Sequence, residues 1–210
     1  MICYIAGAGT WYGAPFSPNA DDFVIAADGG FCALLERGIR VDLLIGDFDS
    51  MEKPEFSNVQ TYRPEKDDTD LFLAVKEGYD RGYRRFVLYG ATGGSRFDHT
   101  VGNLQILVWL ARRGASALLH DSGGSVLALH NGSVTFPRGK SGYLSITSVS
   151  DVSTGITLKG LKYTLDHATL TNDYPLGVSN EFIGEEASVT VESGTLLLIT
   201  AEENWEDVAW

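Results

Sequence analysis

Residues 23–37 read FVIAADGGFCALLER, which is a five-residue apolar run, a turn with one Asp and two glycines, and an amphipathic segment. We predict a strand over Phe23–Ala27 and a helix over Phe31–Arg37, because short apolar runs that alternate with longer amphipathic segments are typical of βαβ units. The alternation continues over roughly the first 130 residues. This half of the chain is therefore predicted to form an α/β domain with a mainly parallel sheet.

The same patterns predict the other elements of this half. The further strands are Ile2–Ala6, Leu43–Ile45, Arg85–Tyr89, Ala117–His120 and Val126–His130, and the further helices are Asp70–Arg81 and about Asp98–Arg113. In the first of these helices Leu71, Val75 and Tyr79 recur at every fourth position, which is the spacing of a half-buried helix. The second ends with two arginines and Gly114, a typical C-terminal signal.

Beyond about His130 the composition shifts to Gly, Ser, Thr and Val in short alternating runs, which predicts antiparallel β structure. The runs are Gly142–Val149, Ile156–Leu161, Ala187–Val191 and Thr195–Ala201. Between the last two, Glu192, Ser193 and Gly194 predict a hairpin turn. We therefore expect two domains: a three-layer, Rossmann-like α/β domain over residues 1–132 and an antiparallel β-sandwich over residues 133–210.

Composition narrows the function classes. Apolar residues make up 44% and charged residues 21% of the 210, the balance of a folded soluble protein. No apolar run approaches the roughly 18 residues of a membrane helix, so we expect a cytoplasmic protein that does not bind membranes. Cys3 and Cys32 form no CxxC motif. The net charge of −12 argues against nucleic acid as a partner. An anionic nucleotide would need a divalent cation held by carboxylates.

Acidic residues cluster where predicted strands end, which is the edge of an open α/β sheet at which ligands bind. GDFDS, residues 46–50, follows a strand directly, so that Asp47 and Asp49 point the same way and could hold one hard cation. The alternative is an ordinary turn with Asp as its usual former. KDDTD, residues 66–70, precedes a helix, and taken alone it favours Asp67 or Asp68 as an N-cap.

A third loop, GATGGSRFDHT over residues 90–100, combines glycines with Arg96 and Asp98. Glycines allow close approach of a phosphate, and Arg binds phosphate oxygens in bidentate fashion. AGAG at residues 6–9 and ADGG at residues 27–30 lie at the same predicted edge, although glycines there are also typical of plain βα turns. His99 is a weaker candidate, either a catalyst or an ordinary polar residue.

In their order and spacing, ADGG, GDFDS, DDTD and GGSRFDH resemble the thiamin pyrophosphokinase family. The resemblance extends through TGITLKGLKYTL, residues 154–165, and GVSNEF, residues 177–182. It implies an α/β domain followed by a β-sandwich, in a homodimer whose active sites draw on both subunits. It also implies the transfer of diphosphate from ATP to the hydroxyl group of thiamin, which gives thiamin diphosphate and AMP.

The resemblance also assigns site residues by position. Asp47, Asp49 and Asp70 would hold Mg²⁺, with Asp67 as a secondary candidate, and Asp28 and Gly29 would contact the nucleotide. Arg96 would bind phosphate, and Asp98 would orient or deprotonate the thiamin hydroxyl group or ligate the metal. Tyr163 stands where some relatives carry a Trp that stacks on thiamin, and an aromatic face suits a cationic thiazolium. Thr157, Ser179 and Asn180 are predicted to hydrogen bond to the pyrimidine ring.

The chain departs from the animal enzymes at three positions: Lys66 and His99 replace Gln, and Tyr163 replaces Trp. None of these changes removes an acid that the reaction needs. Two rival functions use the same residues. One is a Mg²⁺-dependent phosphohydrolase that activates water, and the other is a non-catalytic sensor of a nucleotide or carbohydrate. Release of AMP from ATP that depends on thiamin separates both rivals from the transferase.

Overall fold

The structure, a computed structural model, describes residues 1–48, 54–63 and 67–210. It divides into two compact units: residues 1–106 with 117–122, and residues 107–116 with 123–210. The predicted boundary between residues 132 and 133 falls inside strand β7 (Gly124–Phe136). Within the described ranges, no helix combines the length and apolar character needed to cross a bilayer.

The first unit is built on a mainly parallel sheet. Its strands are β1 (Cys3–Ala6), β2 (Phe23–Ala27), β3 (Leu43–Gly46), β4 (Val59–Thr61), β5 (Arg85–Tyr89) and β6 (Ser116–Asp121). They lie in the order β6-β5-β1-β2-β3-β4, and the pairs from β5 to β4 are parallel. The chain adds β2, β3 and β4 on one side of β1 and then crosses to the other side for β5. This places a topological switch point between β1 and β5, where ligands bind in sheets of this kind.

Helices cover both faces of this sheet. They include α1 (Gly30–Glu36) and α2 (Asp70–Asp80), while α3 (Phe97–Ala111) follows β5 in the chain. Helix α1 packs Phe31 and Leu34 against one face, with Ala6, Val24 and Ala26. Helix α2 packs on the other face so closely that a Cβ at Gly78 would lie 2.7 Å from the Sγ of Cys3. Helices on both faces of a parallel sheet confirm the predicted three-layer α/β class.

The predicted elements of this unit agree with the structure to within two residues at each end. β2 and β5 begin and end where predicted, and α2 ends one residue earlier than expected. β4 was not predicted, because its three residues, Val59–Thr61, include no apolar run.

The second unit is antiparallel, which confirms the predicted β class. Its strands are β7, β8 (Tyr143–Ser148), β9 (Val152–Lys159), β10 (Leu165–Thr171), β11 (Asn180–Glu181) and β12 (Ala187–Thr200), and a short 3₁₀ helix follows at Glu202–Trp205. The order is β10-β9-β12-β7, while β8 pairs with both β12 and β11. Phe136, Leu144, Ile146, Val189 and Leu196 are fully or almost fully buried and form part of its core.

The predicted hairpin turn at Glu192–Gly194 is wrong, because β12 is one strand that pairs with β7 on both sides of these residues. The register shifts between Val191 and Thr195, so the segment is a bulge. Gly194 adopts a φ of 122°, and its N–H donates to Oδ1 of Asn131 at 2.9 Å. The side chain of Asn131 in β7 therefore accepts a hydrogen bond from the N–H of Gly194 in the bulge, and β12 continues past these residues without a turn.

Candidate active site

A cavity of about 370 Å³ opens in the first unit at the carboxyl edge of the parallel sheet. The loops that follow β1, β2 and β5 form its walls, together with the first turns of α2 and α3. It therefore lies at the switch point, where the fold predicts a ligand. Its ionisable side chains in the described residues are Asp28, Asp70, Arg96 and His99.

Most glycines of this edge serve contacts between loops. The N–H groups of Gly7 and Gly9 donate to the carbonyl oxygens of Tyr89 and Gly90, both at 2.8 Å. A Cβ at Gly9 would lie 2.5 Å from the carbonyl oxygen of Thr92, so no larger residue fits. By contrast, Gly94 has a φ of 75° and open space around it. Only some of the glycines in these loops therefore leave space for close approach of a phosphate.

Asp28 ends β2 in a left-handed conformation, with φ of 48°. Its N–H donates to the carbonyl oxygen of Ile45 at 2.8 Å, which ties the end of β2 to the end of β3. Asp28 lines the cavity, whereas Gly29 does not. Asp47 follows β3 directly and is partly buried, outside the cavity lining, and Asp49 lies outside the described residues.

The start of α2 differs from the prediction that Asp67 or Asp68 caps it. The N-cap is Thr69, whose hydroxyl oxygen accepts a hydrogen bond from the N–H of Phe72 at 3.2 Å. Asp68 instead forms an ion pair of 2.6 Å with Lys76, and Asp67 is exposed. The hydroxyl of Thr69 is one helical position closer to the first turn, so it reaches the N–H that a cap must satisfy. Asp70 is the first residue of α2 and lines the cavity.

Arg96 and Asp98 form an exposed ion pair at the start of α3. Arg96 Nε lies 3.0 Å from Asp98 Oδ1, and Nη2 lies 2.7 Å from Oδ2. The hydrogen bonds from Arg96 are the main reason that the pKa of Asp98 is lowered to about 2. Arg96 lines the cavity, while Asp98 does not. A carboxylate held ionised in this way is a weak proton acceptor at neutral pH.

Asn103 is a functional candidate that sequence reasoning missed. It is buried, lines the cavity, and donates from Nδ2 to the carbonyl oxygen of Ala91 at 2.6 Å. It thereby ties α3 to the loop after β5. The sequence feature that pointed to Asn103 was its amide side chain between the apolar positions Val101 and Leu104 of a predicted helix. His99 also lines the cavity, four residues before Asn103 on the same helix face.

In residues 1–48, 54–63 and 67–210, no three His, Cys, Asp or Glu side chains lie close enough together to hold a metal ion. The carboxylates of Asp28 and Asp70 are nevertheless hard oxygen ligands, the type that Mg²⁺ prefers. No thiolate lines the cavity, so the chemistry of the donor set fits Mg²⁺. The assignment of Asp47, Asp49 and Asp70 as its ligands stays a prediction.

The second unit has its own cavity, of about 310 Å³ and mainly apolar. Leu158, Leu165, Leu176, Gly177 and Val178 line it together with Tyr163 and Asn180. Two of the four residues predicted to contact thiamin are thus brought together. Thr157 and Ser179 are not in the lining: the Thr157 hydroxyl oxygen accepts from the N–H of His167, and the N–H of Ser179 donates to the Ser145 hydroxyl.

Comparison with known proteins finds two matching family models, one in each half of the chain. The family described as thiamin pyrophosphokinase, catalytic domain, matches residues 18–119, and that described as thiamin pyrophosphokinase, vitamin B1 binding domain, matches residues 133–196. A thiamine pyrophosphokinase of Bacillus subtilis is 29% identical over 187 residues, which cover 85% of this chain and 87% of the relative.

Solved structures agree over nearly the full length. The crystal structure of the Bacillus subtilis thiamine pyrophosphokinase superposes with a TM-score of 0.83 at 26% identity, over 97% of this chain and 100% of that one. The thiamin pyrophosphokinase of Geobacillus thermodenitrificans gives 0.80 at 28% identity, over 96% and 98%. Because both domains of one family match in order and the fold agrees throughout, this chain belongs to the thiamin pyrophosphokinase family.

Proposed function

We propose that the chain transfers the diphosphate group of ATP to the hydroxyl group of thiamin, with thiamin diphosphate and AMP as products. The observation that carries the proposal is that each matched domain has a cavity suited to one substrate. The catalytic half has a cavity with carboxylates, glycines and Arg96, and the vitamin B1 binding half has an apolar cavity with an aromatic ring. A polyphosphate suits the first cavity, and a flat aromatic cation suits the second.

We assign ATP and Mg²⁺ to the domain over residues 1–132 and thiamin to the domain over residues 133–210. Asp28 and Gly29 would meet the nucleotide at the end of β2. Asp70 would hold Mg²⁺ with Asp47 and Asp49, and Asp67 is the reserve candidate. The bound cation would neutralise the polyphosphate, which otherwise meets two carboxylates in a chain of net charge −12.

In the reaction, the hydroxyl oxygen of thiamin bonds to the β-phosphorus, and the bond from that phosphorus to the oxygen retained by AMP breaks. Arg96 supplies positive charge to the non-bridging oxygens, where negative charge develops. Because the pKa of Asp98 is lowered to about 2, we do not assign proton transfer to this carboxylate. It would orient Arg96 and the hydroxyl group of thiamin. The proton of that hydroxyl group would pass to solvent. Asp70 would contribute by holding Mg²⁺, whose charge would favour alignment of the phosphates for the displacement.

Thiamin would stack on Tyr163, a residue that is 59% exposed and lines the second cavity. Leu176 and Val178, which line the same cavity, are each more than half exposed. Apolar exposure of this kind is typical of a surface that another molecule covers. We propose that a second copy of the chain covers it, in a homodimer with shared active sites, which sedimentation analysis would detect as a mass of twice 22.8 kDa.

We also place the reaction in the cytoplasm, where the two free cysteines, Cys3 and Cys32, would stay reduced.

The function is tested by measuring AMP release from ATP with and without thiamin, each with and without Mg²⁺. The proposal expects AMP only when thiamin and Mg²⁺ are both present, in amounts equal to thiamin diphosphate. Hydrolysis of ATP at the same rate without thiamin would instead indicate a phosphohydrolase. Tight binding of ATP without any turnover would indicate a sensor.

A further inference from the structure

The side chain of Asn180 is almost fully buried, with 3% of its surface exposed, and it makes three hydrogen bonds. Its Oδ1 accepts from the N–H of Tyr163 at 3.0 Å and from the N–H of Glu181 at 2.9 Å. Its Nδ2 donates to the carbonyl oxygen of Tyr163 at 2.7 Å. One amide side chain therefore satisfies both main-chain groups of Tyr163, a residue 17 positions away.

This contact extends a main-chain ladder that would otherwise stop. Leu161 and Phe182 form an isolated antiparallel bridge, and the N–H of Lys162 donates to the carbonyl oxygen of Glu181 at 2.9 Å. At the next residue, Tyr163, the partner is the side chain of Asn180. The turn before it is made by Ser179, with φ of 62°. The segment that carries the aromatic ring is thus fixed up to and including Tyr163.

The ring of Tyr163 needs such a fixed base because little else surrounds it. Tyr163 is 59% exposed and lines the apolar cavity of the second unit. The Nζ of Lys162 lies 5.5 Å from its centroid and also pairs with Glu181 at 2.9 Å. A main chain that is held in place fixes the Cβ of such an exposed residue and limits the rotamers that its ring can adopt. If that main chain is already held in place, less conformational entropy of the protein is lost when a substrate stacks on the ring.

We propose that Asn180 is a positioning residue for the acceptor substrate, which holds the main chain of Tyr163 so that its ring forms one wall of the cavity. The inference rests on the proposed function of this cavity and changes the role predicted for Asn180. Both lone pairs of Oδ1 are used by N–H groups of the protein, so this oxygen has no acceptor capacity left for the pyrimidine ring. Asn180 acts through Tyr163 and touches no reacting atom.

The test compares Asn180→Ala with Asn204→Ala in the AMP-release assay, with thiamin and ATP varied separately. Asn204 is a matched control in the same unit: it is also 3% exposed, and its Nδ2 donates to Ser141 and to Thr200, each at 2.8 Å. Both variants should lose thermal stability. Only Asn180→Ala should raise the KM for thiamin, by about tenfold, because one aromatic contact loses its alignment. The KM for ATP should stay within about twofold.

A double-mutant cycle tests whether Asn180 acts through the ring. Tyr163→Ala and the double variant Asn180→Ala with Tyr163→Ala should have the same KM for thiamin, since a ring that is absent cannot be positioned. Asn180→Asp keeps the size and the accepted bonds, but it places a carboxylate oxygen against the carbonyl oxygen of Tyr163 in place of the donated bond, so it should raise the KM for thiamin by at least about threefold.

Three results would overturn the inference: additive effects in the cycle, a wild-type KM for thiamin in both Asn180 variants, or an equal rise in Asn204→Ala. Failure of the wild-type chain to release AMP with thiamin present would instead refute the proposed function itself. The two failures are therefore distinguishable.

Discussion

The guanidinium group of Arg96 and the carboxylate of Asp98 face each other edge to edge, with Nε 3.0 Å from Oδ1 and Nη2 2.7 Å from Oδ2. Both side chains are about two-thirds exposed, at 66% and 64%. An exposed pair of this type is weak, because water screens both charges. A polyphosphate with several anionic oxygens can therefore compete with Asp98 for Arg96. In the proposed reaction, Arg96 would exchange its contact with Asp98 for contacts with the polyphosphate.

Replacement of Arg96 by Ala should lower kcat/KM for ATP by about 10²- to 10³-fold, as expected when a group that stabilises transition-state charge is removed. Arg96→Lys should recover only part of this loss, because an ammonium group does not provide two parallel N–H donors. Arg112→Ala, an exposed arginine near the other end of α3, is the control and should leave kcat/KM unchanged. Equal kinetics in Arg96→Ala and wild type would remove Arg96 from the site.

The pH profile should reveal whether Asp98 accepts a proton. Its pKa is lowered to about 2, mainly by the hydrogen bonds from Arg96, so the carboxylate stays ionised at any pH above about 3. A change of rate between pH 5 and 8 therefore does not arise from Asp98. We expect kcat/KM for ATP, which reports the ionisation of the free enzyme, to have the same pH profile over that range in wild type and in Asp98→Asn. A decline at low pH that is present in wild type and absent from the variant would show that Asp98 is the base.

Asp70→Asn should raise the Mg²⁺ concentration needed for half-maximal rate, because Asp70 is the carboxylate of the second acidic loop that lines the cavity. Loss of one hard ligand should raise this Mg²⁺ concentration by about tenfold or more. Asp80→Asn removes the same charge from the exposed opposite end of α2 and serves as the control. A titration of AMP release against Mg²⁺ measures both. Identical curves for the two variants would exclude Asp70 as a ligand.

Gly9→Ala should destabilise the first unit, because the added Cβ would lie 2.5 Å from the carbonyl oxygen of Thr92. The two loops would have to separate, so the free energy of unfolding should fall by about 1–3 kcal/mol, and the KM for ATP should rise. Gly102→Ala is the matched control. Nothing lies within 4 Å of its Cβ position in α3, so it should stabilise by up to about 1 kcal/mol. Chemical denaturation checks both, and equal stability of the two variants would contradict the packing described.

The elements that the sequence predicts well are those whose signal is local. β2 and β5 have the predicted ends because each is one apolar run with polar residues or glycine beside it. The placement of Asp28, Asp70 and Arg96 around one cavity also follows from a general rule, since the carboxyl ends of parallel strands meet at one edge.

Other features depend on partners far away in the chain. Glu192–Gly194 has the composition of a turn, and only the pairing of β12 with β7 on both sides makes it a bulge. Likewise, the amide of Asn180 has the same hydrogen-bonding capacity in any fold. That it binds the main chain of Tyr163 follows from the approach of two segments 17 residues apart.

The sequence by itself determined the fold class, the family and the types of residue at the site, because periodicity and motif order are properties of the order of residues along the chain. Tertiary structure alone decided which polar groups are already used within the protein. Arg96 is paired with Asp98, Thr69 caps α2, and Asn180 holds Tyr163. A hydrogen-bonding group is satisfied by whatever lies about 3 Å away, and that distance is set by the packing of the whole chain.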